Sequence, residues 1–325
     1  MKGKKVLITG GLGFIGSNLA HEFVRMGAEV TIFDCLDPRS GGNLCNVDGL
    51  SDSILLSYHN ILDFDQVSQV VPGKDYIFSC ASSTSHSFSM REPWIDSDVN
   101  SKGVINLLEA VRRFNPTAKF VHVGTSTQLG KLSYQPADEK HPEFPTDIYS
   151  ANKSVSEKYT LIYSKAFNVC STVIRLSNVF GPRASIHSPE FTFNNYFIGL
   201  ALQDKDITVY GDGKQMRNVL FVDDAVSALI LAAQSDKSTG EVFFAVGDKH
   251  FSVAEIAEAT VKNIGKGNVV FIDWPTGAKS VDVGDAILSN KKIKDVLGWK
   301  PKISLEEGFA RTKGFYEKHL DLYLR

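Results

Sequence analysis

The chain has 325 residues, 43% of them hydrophobic, and its 35 basic residues nearly balance 37 acidic ones. This composition predicts a folded protein with one large core or two cores that share a cleft. A formal net charge of -2 lacks the basic excess of a general nucleic-acid-binding protein. No stretch approaches the roughly 20 uninterrupted apolar residues that a membrane-spanning helix needs. We therefore expect neither a nucleic acid nor a membrane as partner.

The start of the chain does not resemble a secretory signal, because the apolar segment after its basic residues is short and broken by glycines. The four cysteines, Cys35, Cys45, Cys80 and Cys170, form no CxxC pair and have no accompanying histidine cluster. This spacing predicts buried free thiols and no metal site. Both features favour a cytoplasmic location.

From Lys5 to about Leu176, short β-branched runs alternate with longer segments of helical period, the pattern of parallel strands joined by crossover helices. Long helices are predicted over Asp98–Phe114 and Asp147–Phe167, which have acidic residues in their first turns. The predicted strands are apolar enough to be buried on both faces. They are Val6–Thr9, Glu29–Asp34, Ile54–His59, Tyr76–Ala81, Lys119–Thr125 and Cys170–Leu176. The predicted fold class is α/β, with a doubly wound parallel sheet.

After Asn178 the pattern changes, because prolines and the turn Gly211, Asp212, Gly213 interrupt it and the elements become shorter. We predict a first domain over residues 1–177 and a smaller α/β lobe that takes most of residues 178–325. Residues 219–247 are expected to return to the first domain. The second lobe is the candidate for binding a substrate.

A glycine-rich segment, TGGLGFIG over residues 9–16, follows the first predicted strand and opens a helix. Glycines permit a tight turn and let the backbone approach a pyrophosphate, while free N–H groups at the helix start face the anion. Asp34 ends the second predicted strand, where a carboxylate accepts hydrogen bonds from an adenosine ribose and repels a 2′-phosphate. Arg39 is the only nearby cation. The segment predicts a Rossmann-type dinucleotide site that prefers NAD over NADP.

Tyr149 and Lys153 lie four residues apart on a predicted helix and therefore share one face. An ammonium beside a phenol is expected to lower the phenol pKa and make it a usable acid and base. The spacing alone is weak, because Tyr210 and Lys214 repeat it in a turn. Thr125, at the carboxyl end of the fifth strand, lies on the edge where α/β folds place ligands. We therefore predict catalytic roles for Thr125, Tyr149 and Lys153.

Across nearly its whole length the sequence resembles the NAD-dependent epimerase/dehydratase family, the extended short-chain dehydrogenases that act on nucleotide sugars. The ordered motifs that carry the resemblance are TGGLGFIG, Asp34, DVNSKGVINLLEA with Asn100, GTSTQLG, YSANK, RLSNVFGPR and VYGDGKQMRNVLFVDDAV. The resemblance implies two sets of binding residues. Those for NAD are Gly10, Gly13, Phe14, Ile15, Gly16, Asp34, Asn60, Ile61, Ala81, Asn100, Tyr149 and Lys153. Those for a nucleoside-diphosphate sugar are Thr125, Asn178, Arg183 and Arg217.

Arg217 is interpreted as a cation for the diphosphate, and its alternative is a surface charge in a turn. Arg183 stands where some uronic-acid epimerases of the family bind a carboxylate, although the same Gly-Pro-Arg run occurs in members that use neutral sugars. The sequence departs from the family at Leu129 and Asn218, where a tyrosine and an aspartate are usual. A further phosphate-binding arginine of the family has its nearest equivalent in Lys279.

The triplet Thr125, Ser126, Thr127 indicates which reaction to expect. Dehydratases of the family carry an Asp-Glu pair after the threonine and decarboxylases a Glu two places after it, and this chain has neither. The resemblance therefore implies an epimerase that inverts a sugar carbon, C4 foremost, of a UDP-hexose or UDP-hexuronate through a transient ketone. Alternatives are a dehydratase, a reductase or a C2 epimerase of the family, and, from another class, a non-catalytic dinucleotide sensor. Family similarity also implies a homodimer formed through the two long helices.

Overall fold

A central sheet of seven parallel strands organises the larger part of the fold. We describe a computed structural model that covers residues 1–275 and 283–324. Numbered along the chain, its strands are β1 (Lys5–Thr9), β2 (Glu29–Asp34), β3 (Ile54–Tyr58), β4 (Tyr76–Ser79), β5 (Lys119–Thr125), β6 (Ser171–Leu176) and β10 (Val242–Ala245). Their order is β10-β6-β5-β4-β1-β2-β3. The chain winds outward from β1 in one direction and from β4 in the other. The crevice between β1 and β4 is thus the switch point at which such sheets bind ligands.

Alternate residues of β1 enter different layers of the core, as the two-residue period of a strand requires. Val6 and Ile8 pack with Leu19 and Phe23, whereas Leu7 belongs to a cluster on the opposite face. Helices cover both faces, and the predicted α/β fold with a doubly wound parallel sheet is confirmed. These helices are α1 (Phe14–Arg25), α2 (Phe64–Val70), α5 (Gly103–Phe114), α6 (Ile148–Phe167) and α8 (Val222–Gln234).

Strands and helices from the later part of the chain form a smaller α/β region. Strands β7 (Asn178–Phe180), β9 (Met216–Phe221) and β11 (His250–Ser252) make one sheet, and β8 (Ile207–Tyr210) pairs in parallel with β12 (Val269–Ile272). The helices here are α7 (Phe193–Leu202), α9 (Val253–Ile264) and α11 (Leu305–His319), whereas α10 (Lys291–Leu297) packs against β10 of the central sheet. The segment 219–247, expected to return to the first domain, supplies α8 and β10, and β10 pairs with β6. The division at residue 177 itself stays a prediction.

The predicted helix over Asp98–Phe114 begins as a π-helical turn, Asp98–Lys102, before α5 takes over. The other long helix, α6, begins after Asp147, whose carboxylate accepts a hydrogen bond from the Ser150 amide at 2.8 Å. Two short helices that the sequence did not predict precede the π-helical turn, α3 (His86–Arg91) and α4 (Pro93–Ser97). Among the described helices, none is long and apolar enough to cross a membrane.

Candidate active site

A cavity of about 890 Å³ opens at the switch point and extends to the smaller region of the fold. Its size is that of a site for a large organic ligand. Most of the predicted site residues line it. They are Gly10, Gly13, Phe14, Ile15, Gly16, Asp34, Asn60, Ile61, Ala81, Thr125, Tyr149, Lys153, Asn178 and Arg217.

The glycine-rich turn between β1 and α1 is packed too tightly to admit a side chain at Gly10 or Gly16. A Cβ on Gly10 would lie 2.6 Å from the Ala81 backbone, and one on Gly16 would lie 2.3 Å from the Gly10 carbonyl oxygen. Helix α1 begins at Phe14 with no side chain capping its first turn. Its first N–H groups and the positive end of its dipole are therefore available to an anion in the cavity.

Asp34 lies at the carboxyl end of β2 and lines the cavity. Its two carboxylate oxygens accept hydrogen bonds from the Leu12 amide at 2.9 Å and the Leu36 amide at 2.8 Å. Burial raises the pKa of Asp34, and these two hydrogen bonds oppose the rise. Arg39 is bound to Asp37 at 2.6 Å. The carboxylate is thus fixed where a ribose would lie, and the nearby cation already has a carboxylate partner.

Thr125, Tyr149 and Lys153 come together where β5 ends against the first turns of α6, and all three are buried. The Thr125 hydroxyl lies 3.1 Å from the Thr127 hydroxyl. Thr125 also makes a hydrogen bond with the Tyr149 hydroxyl, which acts to lower the pKa of Tyr149. The Lys153 ammonium donates to the Val123 carbonyl at 2.6 Å. The predicted catalytic group is therefore assembled on one wall of the cavity.

The electrostatics of this group correct one expectation from the sequence. Burial raises the pKa of Tyr149 above its usual range, and the Thr125 hydrogen bond only partly opposes it. Lys153 is not among the main influences on the phenol, because its ammonium is directed to the Val123 carbonyl and to His122 at 3.4 Å. Burial also lowers the pKa of Lys153 itself to about 8. Burial thus acts on the phenol pKa in the direction opposite to the one that the spacing suggested.

A series of hydrogen bonds leads away from Thr125. The Ser150 hydroxyl donates to the Thr127 hydroxyl at 3.0 Å and approaches the Asp147 carboxylate at 3.1 Å. Asp147 also binds Nδ1 of His86 at 2.8 Å. The His86 ring stands edge to face against the Tyr149 ring, with centroids 4.9 Å apart. The sequence did not single out His86, because a lone histidine carries no signal until the fold places Asp147 beside it.

Two predicted site residues do not line the cavity. Asn100 lies behind it and holds the loop after β4, since its side chain donates to the Ser83 carbonyl at 2.8 Å and accepts from the Ser82 hydroxyl at 2.7 Å. Arg183 is turned away, in a left-handed backbone conformation with φ 72°. Its guanidinium donates to Asn18 at 2.8 Å and lies over the Phe315 ring. The structure does not bring Arg183 to a substrate carboxylate.

On the substrate side, Asn178 donates to the Asn218 carbonyl at 3.0 Å, and Arg217 donates to the Gly284 carbonyl at 2.5 Å. Asn218, where the family has an aspartate, is buried and bonds both backbone groups of Gly247. Leu129, the other departure, packs in a small buried cluster. Lys279 lies outside the described residues.

The Tyr210–Lys214 pair and the four cysteines all lie within the described residues. Tyr210 and Lys214 are exposed at a strand end and in a turn, with Lys214 bound to Asp212, so this pair is no second site. All four cysteines are free, as predicted, but none is fully buried: Cys35 is exposed, and Cys45, Cys80 and Cys170 are partly exposed.

A Rossmann cleft that joins a dinucleotide cradle to a Thr-Tyr-Lys group defines an NAD-dependent enzyme of the extended short-chain dehydrogenase class. The family model described as GDP-mannose 4,6 dehydratase matches residues 7–312, and the chain belongs to this family. The resemblance to NAD-dependent epimerases and dehydratases found in the sequence is confirmed.

Relatives of the chain perform different reactions. It is 30% identical to UDP-glucuronic acid decarboxylase 1 of Xenopus tropicalis, over 98% of this chain and 73% of that protein. Among solved structures, UDP-glucose 4-epimerase of Thermotoga maritima with UDP-glucose superimposes with a TM-score of 0.87 at 28% identity, covering 97% of this chain and 99% of that one. A dTDP-glucose 4,6-dehydratase of Bacillus anthracis in complex with NAD gives 0.85 at 27%, covering 98% of each chain. NAD as the cofactor is confirmed for the family, whereas the reaction differs among its members.

Proposed function

We propose that this protein is an NAD-dependent epimerase that inverts C4 of a nucleoside-diphosphate sugar, with a UDP-hexose or UDP-hexuronate as the first candidates. The observation that carries the proposal is the wall of the cavity around Thr125. Thr125 and Tyr149 offer two hydroxyl groups to one sugar oxygen, and the places after Thr125 hold Ser126 and Thr127. Inversion requires only the exchange of one proton and one hydride at a single carbon.

The glycine-rich turn would hold the pyrophosphate of NAD, Asp34 its adenosine ribose, and Lys153 its nicotinamide ribose. We assign Asn60 and Ile61 to the adenine side and Ala81 to the nicotinamide side. NAD bound there would supply the hydride acceptor and donor for the reacting sugar carbon.

In the proposed reaction, the Tyr149 hydroxyl exchanges a proton with the sugar hydroxyl at the reacting carbon, while Thr125 donates a hydrogen bond to the same oxygen. A cation must approach the buried phenol before it can act as a base, because burial alone raises its pKa. Lys153 is the candidate, because it lies one turn along α6 from Tyr149 and lines the same cavity. Arg217, on the far wall, would bind the diphosphate while the sugar turns over.

Dehydration and decarboxylation are the alternatives, since relatives at similar identity carry those names. Both reactions in this family use a carboxylate near the catalytic threonine. Here Thr127 occupies that place and its hydroxyl is engaged by Thr125 and Ser150. Reduction and C2 epimerisation remain further alternatives, and the experiment below separates them all.

The test is incubation of the NAD-loaded protein with UDP-, CDP-, GDP- and dTDP-sugars, followed by NMR of the products. We expect an inverted stereocentre, unchanged mass and no net consumption of cofactor. Tyr149→Phe should lower kcat by about 100-fold or more, the usual contribution of a positioned acid and base. The matched control is Tyr163→Phe, because Tyr163 lies on the same helix and bonds Glu109 outside the cavity.

Loss of water or of carbon dioxide from the sugar would replace this proposal by one of the alternatives. Equal activity of Tyr149→Phe and the native protein would remove the catalytic assignment.

We also propose that two chains pair through α5 and α6 in the cytoplasm. Helix α6 exposes apolar side chains at Val155, Ile162 and Phe167, and Phe114 at the end of α5 is exposed beside them. Ile162→Glu should yield a monomer in sedimentation experiments if the proposal is correct. The free thiols agree with a reducing compartment.

A further inference from the structure

His86 and Asp147 form a histidine–carboxylate pair inside the cavity, on the same wall as Tyr149. Asp147 binds Nδ1 of His86 at 2.8 Å, and the side chains are 47% and 15% exposed, respectively. Burial raises the pKa of Asp147, but the hydrogen bonds from His86 and Ser150 outweigh it, so the pKa lies below its usual value. A carboxylate that stays ionised and binds one ring nitrogen orients the imidazole and fixes its tautomer.

His86 lines the same cavity as Tyr149, so a sugar seated against Tyr149 would also lie beside the His86 ring. Tyr149 marks the position of the oxygen that becomes the ketone, and the rings of His86 and Tyr149 are 4.9 Å apart at their centroids. The carbons on either side of the ketone lie one bond away from the reacting carbon. Their C–H groups would therefore face the wall on which His86 stands.

We propose that His86, oriented by Asp147, is a second acid–base group that removes and returns a proton at a carbon next to the transient ketone. The proposal rests on the proposed function, which supplies the ketone. It gives the enzyme an activity beyond inversion of the oxidised carbon, namely hydrogen exchange at the neighbouring carbon.

The proton transfer is balanced within the site. The C–H bond beside the ketone breaks, the proton passes to the ring nitrogen of His86 that does not contact Asp147, and the electron pair moves into an enolate. The hydroxyls of Thr125 and Tyr149 stabilise the enolate oxygen by donating hydrogen bonds to it. Return of a proton from the imidazolium restores the ketone, and no oxidant or reductant is needed.

A purely structural role for the pair is the alternative. Asp147 caps α6 by accepting from the Ser150 amide, and His86 is the first residue of α3, so their contact joins two helices. Asparagine caps a helix about as well as aspartate. Asp147→Asn should therefore keep the helix while it removes the charge that orients His86.

The experiment supplies the ketone directly, so that hydride transfer is not required. The protein loaded with oxidised NAD is incubated in D2O with UDP-4-keto-6-deoxyglucose, and separately with its dTDP form. Deuterium at the carbons beside the ketone is followed by NMR and mass spectrometry. We expect the protein to accelerate exchange, and His86→Asn to slow it by about 100-fold or more. Asp147→Asn should slow it as well.

His319→Asn is the matched control, because His319 lies at the end of α11 outside the cavity and should leave exchange unchanged. Thermal melting and NAD titration of each variant separate a loss of exchange from a loss of folding. If His86→Asn does not fold, the exchange rate of Asp147→Asn shows whether the oriented imidazole takes part in the exchange. Exchange no faster than in buffer, or equal in His86→Asn and the native protein, overturns the inference. Failure to invert any nucleotide sugar would overturn the proposed function instead, since exchange of a supplied ketone does not depend on it.

Discussion

Lys153→Met is expected to change how the stability of the protein depends on pH. Lys153 is 4% exposed, and burial lowers its pKa from 10.5 to about 8. Between these values the unfolded chain binds a proton that the folded chain has released, so the free energy of unfolding of the native protein rises with pH. The methionine variant has no such group and lacks this rise.

The magnitude follows from the two pKa values. Each pKa unit corresponds to about 1.4 kcal/mol, and the interval from pH 7 to pH 10 covers most of the titration in the folded chain. The stability difference between native protein and variant should therefore shift by about 2.5 kcal/mol in favour of the native protein. The weakening of the hydrogen bond to the Val123 carbonyl when the ammonium becomes an amine is already contained in the pKa of the folded chain. Cys80, whose pKa is raised to about 12, stays protonated throughout.

Urea denaturation of protein freed of dinucleotide, at pH 7 and pH 10, measures this shift. Lys165→Met is the control, because Lys165 is an exposed lysine of the same helix. Its substitution removes one ammonium but no buried group. If the difference in free energy of unfolding between the native protein and Lys153→Met stays constant between pH 7 and pH 10 within about 0.5 kcal/mol, burial does not destabilise the ammonium of Lys153.

Two further predictions concern Gly16, in the glycine-rich turn, and Arg183, outside the cavity. Gly16→Ala would place a Cβ 2.3 Å from the Gly10 carbonyl oxygen, so it should lower the free energy of unfolding by about 1–3 kcal/mol and weaken NAD binding in calorimetry. Gly314→Ala, where a Cβ meets no atom within 4 Å, is its control, and equal effects of the two would refute the steric argument. Arg183→Ala loses the hydrogen bond to Asn18 and the packing on Phe315, so it should lower stability by about 1–3 kcal/mol in urea denaturation. Its KM for a nucleotide sugar should change little, and a KM raised for uronates alone would mean that the guanidinium turns into the cavity.

The sequence predicted the central sheet well because strands buried on both faces are strongly marked. The predicted β2 and β5 have the bounds that the structure shows. Thr125 and Tyr149 meet because Thr125 ends β5 and the helix that carries Tyr149 begins at the same edge of the sheet. What the sequence could not give depends on contacts between distant segments. His86 and Asp147 are 61 residues apart, and α3, which places His86, has only 6 residues. Likewise, no spacing rule foretells that Lys153 turns to a main-chain carbonyl.

One hydrophobic core runs without a break from β1 and α1 through α8 to α7, α9 and α11. The edge strand β10, late in the chain, completes the sheet begun by β1, and the Tyr323 hydroxyl donates to Asn46 at 2.5 Å. The two lobes therefore share this core, although a second cluster that includes Leu7, Phe33 and Ile61 lies within the first lobe alone. The cleft is therefore a groove in the surface of one continuously packed body and not a gap between two separately packed domains.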